Sequence, residues 1–305
     1  MTRFLIRRLL RMIVVIWGVV TVVFIVIRLS GDPIALLVAP GTPPAEIQAL
    51  RDRMGLNEPI YVQYAIFLRD AARGDFGTSI RYNQDALSVV IDRIPVTLEI
   101  AAAAFTIAVL VAVPIGILSA VKPNSWLDNI AMGLALIGQA VPTFFLGIVL
   151  ILIFSVRFGW FPTSGLSSPS GIVLPAITLG AFAMASISRL TRSAMLEVLG
   201  QDYVRTARAK GLREVAVINR HALRNALVPV VTIMGLQFGG LLGGSVVTET
   251  VFSLPGMGRL IVQAIGNRDY PIVQAGVFLI AIAFVGVNLV VDVLYAVIDP
   301  RIRIT

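Results

Sequence analysis

The chain has 305 residues, of which 57% are hydrophobic and 14% charged, with a net charge of +8 and a mean hydropathy of +0.89. Soluble domains hold about 45–50% apolar residues, so this composition excludes a soluble fold and reads as an integral membrane protein. The absence of cysteine excludes a disulfide framework and a thiolate metal site, the single histidine, His221, leaves little for metal chemistry, and the basic residues are too dispersed to form a nucleic-acid surface.

In chain order, Arg3, Arg7, Arg8 and Arg11 precede an uncharged run over 12–27, which reaches the about 20 residues of a membrane span when Arg11 and Arg28 snorkel. No small-residue cleavage site follows directly, so residues 1–28 read as a cytoplasmic end and a retained first span. Residues 29–97 hold the only sizeable polar segment and predict an extramembrane subdomain. Pro33, Pro40, Pro43, Pro44 and Pro59 mark turns, and a helix is expected over 44–54 with Pro44 at its first position. Tyr61, Tyr64, Phe67 and Leu68 recur on one face of a second helix, which Gly74-Asp75-Phe76-Gly77 closes.

Residues 98–305 form the core transmembrane domain. The second span is expected over 100–121 with Pro114 inside it, and the third over 129–156 with Pro142 inside it. Phe158, Trp160 and Phe161 then suit a membrane interface. The fourth span is placed over 171–188, ended by Arg189 and Arg192, and the fifth over 225–248. In the fifth, Gly235, Gly239 and Gly243 fall at i, i+4 and i+8, with Gly240 and Gly244 on a neighbouring line. Close helix packing is the favoured reading of that stripe, and a wall of the translocation path the other. The sixth span covers 270–291, and Asp292 at its end suits the interface better than a substrate site.

Between the fourth and fifth spans, residues 189–224 carry eight Lys or Arg against three acids. Within them, Asp202-Tyr203-Val204-Arg205-Thr206-Ala207-Arg208-Ala209-Lys210-Gly211 predicts a short helix. At 100° per residue, Tyr203, Val204, Ala207 and Gly211 share one arc, Arg205 points away, and Arg208 and Lys210 flank the edges. A smooth arc rimmed by charge is expected to face outward as a docking surface, and the same arginines serve equally as an orientation signal. Six spans put both termini on one side. The segments there hold fifteen Lys or Arg and five acids against ten and eleven on the other, so both termini are expected in the cytoplasm.

The chain has no phosphate-binding Gly-x-x-x-x-Gly-Lys-[Ser/Thr] loop, no His-Glu-x-x-His and no Gly-x-Ser-x-Gly, so no catalytic residue, metal ligand or cofactor is assigned to it. An ion channel or pump calls for polar residues along several spans, and these spans are nearly clean. A membrane-embedded enzyme or channel therefore stays only as a rival class.

The stretch 203–211, continued by His221-Ala222-Leu223-Arg224-Asn225-Ala226-Leu227-Val228-Pro229, resembles the cytoplasmic loop of ABC importer permeases of the dipeptide, oligopeptide and nickel branch. Arg7-Arg8, Gly31-Asp32-Pro33, Gly74-Asp75-Phe76-Gly77, Asp269-Tyr270-Pro271 and Asp299-Pro300-Arg301 are similar to that branch, in the same order along the chain. Gly235-Leu236-Gln237-Phe238-Gly239 through Gly243-Gly244-Ser245 resembles the glutathione permeases within it. The general permease loop reads Glu-Ala-Ala, three residues, then Gly, whereas Arg205, Thr206 and Ala207 stand here.

The resemblance implies a type I importer permease fold of six transmembrane helices in the bacterial cytoplasmic membrane. It also implies a second homologous permease, two cytoplasmic ATPases that bind the ATP, and an external solute-binding protein. Di- or oligopeptides and glutathione are the implied solutes, with nickel chelates and opines as alternatives. Residues 202–211 are then expected to couple ATPase motion to the spans, and Gly235, Gln237, Gly239 and Gly243 to pack helices or line the path.

Overall fold

The computed structural model describes residues 2–29, 42–53 and 55–298. In chain order its helices are α1 (Thr2–Leu29), α2 (Pro44–Arg53), α3 (Ile60–Ala72), α4 (Ala86–Ile91), α5 (Ile94–Val121), α6 (Trp126–Ala140) and α7 (Thr143–Leu150), the last continued by a π-helical segment to Arg157. They are followed by α8 (Val173–Leu199), α9 (Asp202–Ala209), α10 (Glu214–Ala216), a π-helical turn over Val217–Ala222, α11 (Leu223–Val251), α12 (Met257–Gly266) and α13 (Tyr270–Ile298). Gly31-Asp32-Pro33 and Asp299-Pro300-Arg301, together with Pro40 and Met54, lie outside the described residues, and the side chain of Asp292 is likewise not described.

Among the described residues five helices are long and apolar enough to cross a membrane, and α6 with α7 makes a sixth if the pair counts as one span. That pair corrects the single third span expected over 129–156, because its halves are bent by 112°. Pro142 has no N–H to give the ladder and pushes the preceding Val141 into extended backbone, so the helix restarts at Thr143. Pro114 is tolerated inside α5. The fourth span is also longer than expected: α8 runs past Arg189 and Arg192 to Leu199.

By backbone contacts the chain divides into two units, Met1–Val96 with Pro255–Val285, and Thr97–Leu254 with Gly286–Thr305. Residues 1–28 and 29–97, read from sequence as separate segments, thus group almost entirely in one unit that also takes in α12 and the start of α13. In this first unit, Phe24 of α1 packs on Tyr64 and Phe67 of α3 with ring centroids 5.2 and 5.4 Å apart. Phe76, Val89, Val90, Leu260 and Ile272 form its core. Asp269 is buried beside them and accepts from Ser79 Oγ and from the backbone N–H groups of Ile80 and Arg81. Those three donors satisfy a carboxylate that burial would otherwise penalise heavily.

The second unit is organised on a seam of small residues. Ala101, Ala104, Ala108, Ala112 and Gly116 line the buried face of α5. Two of them come close to α8: a Cβ on Gly180 would lie 2.7 Å from the Ala104 carbonyl, and one on Gly116 would lie 2.6 Å from Thr191 Cβ. Near one end of the seam Thr97 donates to the fully buried Glu249 at 2.7 Å. Asp128 of α6, 2% exposed, is gripped by Arg192 of α8 through both carboxylate oxygens at 2.6 and 2.7 Å, and by the Asn124 N–H. A bidentate guanidinium fork is the geometry that best offsets the loss of water around a carboxylate.

Candidate functional site

The basic segment between α8 and α11 is a folded bracket. Gln201 stands before α9 in extended backbone, Asp202 occupies the first turn and Arg208 the last, an acid-first, base-last order that complements the helix dipole. Gly211 ends the helix at φ +75, a left-handed conformation that glycine adopts without a steric penalty. Three attachments hold this helix. Val204, fully buried, and Ala207, 6% exposed, pack on Val217, with Val198 and Leu199 closing around them. Arg208 forks onto Glu214 at 2.7 and 3.2 Å, and this carboxylate raises the guanidinium's already high pKa. Asn225 donates to the Tyr203 hydroxyl at 2.8 Å and to the His221 carbonyl at 3.1 Å, tying α9 to the root of α11.

This geometry corrects the expected docking arc. Val204 and Ala207 do not face outward; they are the bracket's own anchor. The reason is energetic: α9 has few apolar side chains, and the nearest apolar surface able to take them from water is the end of α8 and the start of the helix over Glu214–Val251. Tyr203 lies at the margin and Gly211 is exposed, while Asp202, Arg205, Thr206, Ala209 and Lys210 form the outward face. Arg205 is therefore central to the presented surface, held near Asp202 at 3.4 Å.

The glycines of α11 do not all stand in one environment. Gly239 is buried, and a Cβ on Gly244 would meet Leu179 at 3.3 Å. At Gly240 and Gly243 an added Cβ would meet nothing within 4 Å, so close packing inside this chain does not account for Gly243. Gly235 and Gln237 are half-buried. Backbone approaches too close for an added Cβ lie instead at Gly116 of α5 and Gly180 of α8, and the 3-4-4-4 spacing of the buried Ala101, Ala104, Ala108, Ala112 and Gly116 was the signal available in the sequence.

A second feature missed in the sequence is the break between α6 and α7. A cavity of about 250 Å³ opens there, lined by Gly138, Gln139, Val141, Thr143, Thr178 and Phe182. Gln139 donates to Ser186 Oγ at 2.8 Å. Irregular backbone at membrane depth is tolerated where it is buried in protein or lines a wet cavity, and the walls here include the polar side chains of Gln139, Thr143 and Thr178. The visible signal was Val141-Pro142 midway along 126–157.

Residues 112–304 match the family model described as the binding-protein-dependent transport system inner membrane component, and residues 1–101 match its amino-terminal companion. The chain is 42% identical to the dipeptide transport system permease protein DppB of Alkalihalophilus pseudofirmus, over 99% of this chain and 100% of that one. It is 43% identical to the glutathione transport system permease protein GsiC of Escherichia coli K12, over 99% of both chains. Among solved structures it is similar to the MetNI methionine ABC transporter in an inward-facing conformation, with TM-score 0.58 and 20% identity over 69% of this chain and 96% of that one. An amino acid ABC transporter with histidines gives TM-score 0.55 at 15% identity over 68% of this chain and 93% of that one. These two likenesses carry the fold.

Proposed function

The chain belongs to the family of binding-protein-dependent transport system inner membrane components, and from that premise we infer that it is the permease subunit of an ATP-driven importer of peptide-like solutes. The observation that carries the solute class is full-length similarity to permeases of dipeptide and glutathione transport systems. The family implies ATPase and solute-binding partners for a multi-pass inner membrane protein. In the finer reading both termini are cytoplasmic, a second homologous permease completes the path, two separate ATPases bind the ATP, and this chain holds no cofactor.

The bracket supports a mechanical role for 189–224. Three attachments make α9 rigid with the ends of α8 and α11, so a push on its polar face is passed to two spans without being absorbed by a flexible loop. ATPase docking is assigned to Asp202, Arg205, Thr206, Ala209 and Lys210, with Tyr203 and Gly211 at the edge. Val204, Ala207 and Arg208 hold that face in place.

Uptake by a deletion strain complemented with this chain tests the solute class: di- to pentapeptides and glutathione should compete with one another. Loss of uptake of another solute class, with no competition by peptides, would overturn it. Orientation is tested by cysteine labelling, which has no background here because the chain lacks cysteine. Ser79 is buried against Asp269 and is a poor reporter. The exposed Gln84 serves better, and Gln84→Cys should react from outside and Ser193→Cys only from inside.

A further inference from the structure

The first unit carries a half-open cavity of about 460 Å³ that the coupling mechanism does not use. Its walls include Phe24, Phe67 and Phe76, and Arg28, Gln63 and Tyr270 stand among them. Gln63 Oε1 and the Tyr270 hydroxyl are buried without a hydrogen-bond partner. Turning the Gln63 amide does not relieve this, because its Nε2 already donates to the carbonyls of Leu56 at 3.1 Å and Glu58 at 2.7 Å, which an amide oxygen cannot do. Oε1 is thus fixed as an acceptor that lacks a donor. Tyr270 is 9% exposed, and a buried tyrosine hydroxyl ordinarily finds a partner. The Arg28 guanidinium lies 5.4 Å from the centroid of the Phe24 ring, and among the described residues no carboxylate pairs with it.

Buried polar atoms left in this state cost stability, and here they share one apolar cavity of the size that holds a small molecule, about 300–1,000 Å³. An occupant that repairs all three must offer a nitrogen donor to Gln63, an anion to Arg28, a polar partner to Tyr270 and an apolar body to the phenylalanines. A short peptide with free termini has each of these in its ammonium, carboxylate, peptide group and side chain. We propose that this cavity is a peptide site on the permease itself, taking a di- or tripeptide with free termini and a large apolar side chain. The proposal rests on the peptide-importer reading and adds a second place where solute is held, on the chain that spans the membrane.

The assembled transporter, purified in lipid nanodiscs without its solute-binding protein and without ATP, is titrated with a labelled leucine–phenylalanine dipeptide. Saturable binding is expected. Tyr270→Phe and Arg28→Gln should each weaken it by about three- to tenfold, the range of a lost hydrogen bond, and acetylating and amidating the peptide should weaken it at least as much. Without peptide, Tyr270→Phe should melt at the same or a higher temperature, because it removes an unsatisfied hydroxyl. A lowered melting temperature with unchanged binding would make that hydroxyl structural and overturn the proposal. A phospholipid that copurifies one to one and is lost in Tyr270→Phe would assign the cavity to lipid and overturn it too. No binding in vitro while dipeptides still compete in cellular uptake would sink this site alone. No competition in uptake would instead remove the peptide-importer reading beneath it.

Discussion

Small residues serve opposite ends in two regions of the second unit. Along α5 and α8, Ala104, Gly116 and Gly180 are packed until no further atom fits; along α11, Gly240 and Gly243 look onto open space. The same contrast recurs within one turn of α9, where Ala207 is buried under Val217 and Ala209 is exposed. A small side chain marks where a neighbouring backbone comes close or where room is kept, and burial decides which. The seam holds this chain together. The open glycines and the outward face of α9 are surfaces that this chain's own packing leaves uncovered.

The sharpest way to break this comparison is one substitution made in both regions. Gly180→Ala places a methyl 2.7 Å from the Ala104 carbonyl, a backbone atom that cannot rotate aside, so the expected cost is about 1–3 kcal/mol of stability from overpacking. Gly116→Ala meets both Thr191 and the Ser188 carbonyl and should cost a similar amount. Thermal unfolding of the detergent-purified transporter reads the loss. Wild-type melting by both variants would mean that the seam is loose and the contrast unfounded.

The next effect separates the two alanines of α9. Ala207→Trp drives an indole into the cluster of Val204 and Val217 and should destabilise the bracket by about 1–3 kcal/mol, loosening the connection between α8 and α11. Ala209→Trp stands on the exposed face, where a substitution usually changes stability by no more than about 0.5 kcal/mol. It should nevertheless abolish transport and lose the ATPases on purification. Arg205→Ala should weaken ATPase copurification for the same reason. Normal transport by Ala209→Trp at wild-type expression would return the stretch to an orientation signal.

Much of this was legible in the sequence. Uncharged runs marked five span-length helices and the bent α6–α7 pair because a bilayer tolerates little else, and the basic segments carried the expected orientation. Pro44 and Gly211 marked helix ends correctly because each has a backbone reason to be there. The face of α9 was misread because a helical wheel finds an apolar arc without saying who covers it, and in a membrane protein the neighbour one turn away is as apolar as any partner. The pairs Asp128–Arg192, Thr97–Glu249 and Ser79–Asp269 were not legible, since their partners stand 64, 152 and 190 positions apart and nothing local in the chain joins them. The bend at Pro142 was visible as a proline and invisible as an angle, because prolines in spans are as often absorbed, as Pro114 is in α5.

At Gly243 the expected change in stability is a gain rather than a loss, and there its sign carries the argument. An alanine at this position meets nothing within 4 Å, so the fold has no packing reason to resist it, and replacing a helical glycine with alanine should gain about 0.5–1 kcal/mol. Gly243→Ala should therefore melt at the same or a higher temperature, where Gly116→Ala melts lower. Stability and function should then part company. If the open face receives the second permease or the solute, the added methyl stands in their way, and pairing or uptake should fall by a factor of a few in a protein that is no less stable by itself. Uptake at the wild-type rate, together with intact copurification of the sister subunit, would mean that the face meets only lipid. A fall in melting temperature would mean that another part of this chain already closes on Gly243, and the contrast between the packed seam and the open stripe would fail at the position chosen to show it.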